Sequence, residues 1–116
     1  MTRFTGIPQF DSSVTATAEL LKTGHTALLS VEVENPNTSP DYLQLFDVAA
    51  TTSVTLGSTT PTVSRMVPAG AGGGVNSARL IEIPTGFTNG CVYAITTTAT
   101  GAVAPTSVCL LNFTYH

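Results

Sequence analysis

Apolar and polar positions alternate along much of the chain. Between Thr26 and Glu34, residues Ala27, Leu29, Val31 and Val33 fall on one side and Ser30, Glu32 and Glu34 on the other. That period of two is the mark of a strand with one wet face. The run ends at Asn35-Pro36-Asn37, a strong breaker. From Tyr42 to Val48, residues Leu43, Leu45 and Asp47 oppose Tyr42, Gln44, Phe46 and Val48. Both sides carry bulk, which predicts a strand inside a sheet rather than at its edge. Near the other end of the chain Cys109, Leu111, Phe113 and Tyr115 share one side, so a core strand is expected over Ser107 to Tyr115 with Phe113 in the interior.

Weaker extended runs fill the gaps. They cover Val14 to Ala18, Leu20 to Gly24, Val54 to Leu56, Val63 to Val67, Arg79 to Ile83 and Cys91 to Thr98, punctuated by Pro84-Thr85-Gly86, Thr88-Asn89-Gly90 and Thr100-Gly101. A turn signal roughly every 8–12 residues predicts an all-β chain. The expected fold is a single antiparallel β-sandwich, jelly-roll or Ig-like, of about seven to eight short strands. Helix is expected for no more than a turn near Ala18 to Lys22, because no apolar stripe at helical spacing extends beyond it. Gly70-Ala71-Gly72-Gly73-Gly74 reads as a loop, since ordered glycine loses more backbone freedom than any other residue.

Residues 1–12 show no period, yet carry Phe4, Ile7, Pro8 and Phe10. They are expected to form an extended N-terminal arm ahead of a sandwich domain spanning 13–116. The four apolar residues are its partner-binding contacts, made either to its own sandwich or to a neighbouring subunit. Deleting Met1 to Phe10 is expected to weaken attachment and leave the sandwich folded.

Composition narrows the function classes. A chain of 116 residues supports one core and one domain. Only 9% of residues are charged, against about 25% in ordinary domains, and threonine and serine runs such as Thr51-Thr52-Ser53 cover the surface instead. The net charge is -3, with Arg3, Lys22, Arg65 and Arg79 as the cations. So few cations argue against a nucleic-acid partner, whose affinity comes mainly from phosphate neutralisation. No run approaches the roughly 20 apolar residues of a membrane span, and the beginning of the chain lacks the plan of a secretion signal. Synthesis in a cytoplasm is therefore expected. There Cys91 and Cys109 are expected to be buried free thiols, a bridge staying open only if their Cα atoms lie within about 7 Å.

Reactive chemistry is sparse, and no catalytic, cofactor-binding or metal-binding residue is expected. His25 follows a turn glycine and His116 stands at the end of the sequence, a poor basis for a metal pair. Cys91 and Cys109 alternate with apolar neighbours, unlike activated nucleophiles. Glu32 and Glu34 share a face that reads as solvated. The glycine loop lacks both the Gly-Lys-Ser/Thr ending and the following helix of a phosphate cradle. Asn37-Thr38-Ser39 and Asn112-Phe113-Thr114 match the glycosylation pattern in form alone. Were a glycan the ligand, Tyr42, Tyr93 and Tyr115 would be its aromatic platform.

Several stretches carry a family resemblance. They are Glu34-Asn35-Pro36-Asn37, Tyr42-Leu43-Gln44-Leu45-Phe46-Asp47, Pro61, Val67-Pro68-Ala69-Gly70, the run from Gly90 to Gly101, and Asn112 to Tyr115. Taken together, from Leu21 to Tyr115, the chain resembles the small head-decoration, or cement, proteins of tailed bacteriophages. The resemblance implies a β-sandwich, commonly a homotrimer, on the outer surface of the capsid in the virion. Its partners would be the major capsid protein and further copies of itself, and it would catalyse nothing and hold no cofactor. The alternative is a receptor- or glycan-binding sandwich of a head fibre or tail component.

Overall fold

The computed structural model describes residues 6–70, 76–81 and 85–116. Its strands are β1 (Ile7–Val14), β2 (Glu19–Thr23), β3 (Thr26–Asn35), β4 (Asp41–Phe46), β5 (Val63–Val67), β6 (Asn76–Ile81), β7 (Thr85–Phe87), β8 (Gly90–Thr96) and β9 (Cys109–Tyr115). A front sheet runs β1-β9-β3-β6, with β7 also pairing β3, and a back sheet runs β2-β8-β4-β5. Every pairing is antiparallel.

The pairing is nested: β4 with β5, β3 with β6, β2 with β8 and β1 with β9. Such an order arises when one long antiparallel ribbon is wrapped around a barrel axis, which is the jelly roll. An immunoglobulin sandwich divides its strands differently, so the order decides between the two expected topologies.

The core lies between the sheets. Val14, Leu28, Val31, Val33, Phe87, Cys109, Leu111 and Phe113 meet Leu43, Leu45, Val67, Cys91, Tyr93 and Ile95. The expected faces of β9 are correct, and β4 is central, between β8 and β5. For β3 the expectation is half right. Leu28 is fully buried and Leu29 is not, because the register against β9 slips between Leu28 and Ser30. One extra residue at such a bulge reverses which side chains point inward, and alternation resumes at Val31.

Three expected elements differ. Val14 closes β1, and the residues after it bend rather than extend. The segment Val54 to Leu56 forms no strand and follows a single 3-10 turn, Thr51–Ser53. Its backbone is satisfied locally, with Ser58 and Thr59 N–H both donating to Thr55 O and Thr55 N–H donating to Thr59 Oγ1. Turn bonds of this kind outcompete a ladder in serine- and threonine-rich chain.

The third difference is the arm. From Ile7 onward it is β1, paired with β9 through Ile7↔Tyr115, Gln9↔Phe113 and Asp11↔Leu111. The boundary expected at 12/13 therefore falls inside a strand. No alternation marks it because, as an edge strand, β1 is wet on both faces and exposed from Ile7 through Phe10. Phe4 and residues 71–74 of the glycine loop lie outside the described residues, while Gly70 N–H donates to Asn37 O at 2.9 Å. Among the described residues no helix is long and apolar enough to cross a membrane.

Candidate functional site

The two sheets differ on their outer faces. On the back sheet, Gln44, Phe46, Val92, Ala94 and Thr96 point away from the core, yet each is at most 1% exposed. The connections over 47–62 and 97–108 account for this. Gln44 Nε2 donates to Gly101 O at 3.1 Å and Ser64 Oγ to Ala99 O at 2.7 Å. A Cβ placed on Gly57 would touch Ala102 at 3.4 Å, so the two connections meet above the sheet. Gln44 Oε1 is buried without a hydrogen bond.

The front sheet has no such cover among the described residues. Its outward row Phe10↔Asn112↔Glu32 crosses three strands, and Phe10 is 56% exposed. Pro8 and Asn112 are exposed as well, and Glu32 and Glu34 are partly so. Ile7, at the start of β1, is 46% exposed. Of the expected partner-binding residues, Ile7, Pro8 and Phe10 thus lie together on one edge strand of the bare sheet.

Where β1 and β2 run along the same side of the sandwich, a polar seam joins the sheets. Tyr93 Oη donates to Asp11 Oδ2 at 2.7 Å. Asp11 Oδ1 accepts from Ser13 N–H at 3.0 Å and from Ser13 Oγ at 3.4 Å. Glu19 stands opposite Tyr93 in the β2–β8 ladder and hydrogen-bonds Asp11, which with burial and the Asp11 charge pushes Glu19 up to about 7. Burial works upward on Asp11 too, but the bonds from Glu19, Tyr93 and Ser13 outweigh it and hold Asp11 below its ordinary value.

A second polar cluster closes one end of the core. Asn37 Nδ2 donates to Asp41 Oδ2 at 2.8 Å and to Ser107 O at 2.9 Å, and Asn37 Oδ1 accepts from Ser107 N–H at 2.8 Å. Asn35 Oδ1 accepts from Asn37 N–H at 2.9 Å, and Asn35 Nδ2 reaches Pro68 O at 3.2 Å. Cys109 Sγ lies 3.8 Å from Asp41 Oδ2. Burial raises Asp41 against these bonds, and burial with the Asp41 charge pushes the Cys109 thiol up to about 12. This is the chemistry of a structural pin for the β3–β4 turn rather than of a nucleophile. A hollow of about 360 Å³ beside it is lined by Pro36 to Asp41, Thr97, Thr106 and Ser107. The sequence carried one signal of this cluster, a breaker made of two asparagines two residues apart, but not that both turn inward.

The remaining expectations sort themselves by place. His25 and His116 do come together, with Lys22, around a shallow hollow of about 380 Å³. Among the described residues no three histidine, cysteine, aspartate or glutamate side chains converge on a metal position. Cys91 and Cys109 are buried and unbridged, and burial with the Asp47 charge pushes Cys91 up to about 12. The three tyrosines do not form a platform: Tyr93 is 4% exposed inside the core, Tyr42 belongs to the back sheet and Tyr115 to the front. Comparisons with protein-family models, curated proteins and solved structures found no match to this chain.

Proposed function

We propose that the chain is a capsid decoration protein of a tailed bacteriophage, docking on the outer surface of the head by the bare face of its front sheet and the exposed edge strand β1. The observation that carries this is the asymmetry of the two faces, one roofed by the protein's own connections and the other left open by the described residues, with Phe10 at 56% exposure. A surface of hydroxyls, amides and isolated apolar groups is inexpensive to desolvate, because few charges have to leave water. The jelly roll supports the reading by analogy alone, since viral capsid and lectin domains share it. The partners are the major capsid protein and, through symmetric association, two further copies of the chain. A trimer holding several shell sites at once turns weak contacts into lasting attachment.

The test uses heads of the encoding phage that lack the protein. Deleting Met1 to Phe10 is no longer a suitable variant, since it would remove half of β1 and uncover β9. Phe10→Ser is the better probe. Wild-type protein is expected to bind the heads at fixed stoichiometry on sedimentation, and Phe10→Ser to bind at lower occupancy with an unchanged melting temperature. Wild-type protein that stays in the supernatant at every concentration would refute the assignment.

A further inference from the structure

Ionisable side chains of both sheets meet at the seam between β1 and β2. The Tyr93 ring lies in the core with its centroid 4.7 Å from that of Phe113, and its hydroxyl emerges on Asp11 Oδ2. Tyr93 therefore spans the core and ties the back sheet to the outermost strand of the front one. Asp11 Oδ1 is engaged by Ser13. Glu19, directly opposite Tyr93 in the β2–β8 ladder, completes the group beside Asp11, and a hydrogen bond between two carboxyl groups exists only while one of them keeps its proton.

We propose that Asp11, Glu19 and Tyr93 form a proton-dependent clasp that holds edge strand β1 against the back sheet while Glu19 is protonated and loosens β1 when that proton leaves. The inference concerns the chain alone and holds whatever β1 docks on. In the folded protein Glu19 titrates near 7, above its ordinary 4.5. Its contribution to stability is complete below 4.5 and disappears as the pH rises to about 7. Asp11 acts in the opposite sense, but only in acid, around and below its ordinary 3.8. From weakly acid to weakly alkaline pH the Glu19 step is thus the one that acts, and losing the proton leaves two adjacent anions.

Among the described residues, the other titratable groups near the seam stand apart from it. Lys22 of β2 lies beyond a register shift, beside Cys91 of β8. On β9, Cys109 faces Val14, Tyr115 faces Ile7, and the residue facing Asp11 is Leu111.

Three measurements on the full chain test the clasp. The Glu19 carboxyl carbon, followed by NMR, is expected to titrate with a midpoint near 7 rather than 4.5. Protection of the β1 amides against hydrogen exchange, corrected for intrinsic rates, is expected to fall on the order of tenfold from about pH 5.5 to about pH 8, the solvent around both carboxyls screening any larger effect. Glu19→Gln is expected to flatten that fall, and Tyr93→Phe to lower β1 protection at both pH values. A Glu19 midpoint at its ordinary value, or β1 protection in Glu19→Gln with the wild-type pH dependence, would overturn the proposal. So would Tyr93→Phe with unaltered protection.

Discussion

The outer faces of the two sheets follow the same pleat and end in opposite conditions. On the back sheet the central strands β8 and β4 are sealed on both sides, the inner by the core and the outer by the connections over 47–62 and 97–108. On the front sheet the central strands β9 and β3 are sealed by the described residues on one side only, with Asn112 exposed and Glu32 and Glu34 partly so. A long connection folded over a sheet does what a second layer would do, burying its apolar residues without another element. A face without one stays available. The difference locates surface that can be covered by something else, and in this molecule that surface is the front sheet with β1.

Substitutions at two phenylalanines separate the faces most sharply. Phe46, 1% exposed beneath the back-sheet cover, is expected to cost about 3–5 kcal/mol when changed to alanine, measured by urea unfolding. A cost near zero would show that the cover is loose and that the two faces are alike.

Gly90 tests how tightly that cover is seated. A Cβ there would come within 2.5 Å of Val48 O and 2.7 Å of Lys22 O, and its φ of +151° disfavours any side chain. Gly90→Ala is expected to cost about 2–4 kcal/mol from strain and overpacking combined.

Phe10→Ala, on the open face, is expected to change stability by no more than about 0.5 kcal/mol while lowering occupancy on phage heads. The shared interior provides a control. Cys91 and Cys109, one from each sheet and both pushed up to about 12, are expected to resist a thiol reagent in the native protein and to react at equal rates once it unfolds.

Strands whose two sides differ were readable from the sequence. The alternation of Cys109, Leu111 and Phe113 marked β9 and its buried side, and the double bulk around Leu43 and Phe46 marked β4 as central. Where both sides are wet, as in β1, alternation has no cause and the strand read as an arm. At Leu29 a single extra residue reversed the faces of β3, and no residue type announces such a slip. Pairing order is a long-range property too: β1 finds β9 across nearly the whole chain, so the jelly roll could be placed among the sandwiches but not chosen. The polar clusters stayed hidden for the same reason. Asp11 and Tyr93 are 82 residues apart, and Asn37 and Ser107 are 70. Asp41 joins one partner close by, Asn37 four residues back, to another 68 residues away, Cys109.

If the chain is the decoration protein proposed above, the assignment of a docking face is tested most directly by cryo-electron microscopy of the corresponding phage particle. The expected map shows ordered copies on the outside of the head, with the front sheet and β1 against the major capsid protein and the connections over 47–62 and 97–108 turned to solvent. Copies seated on those connections, or heads carrying none, would contradict it.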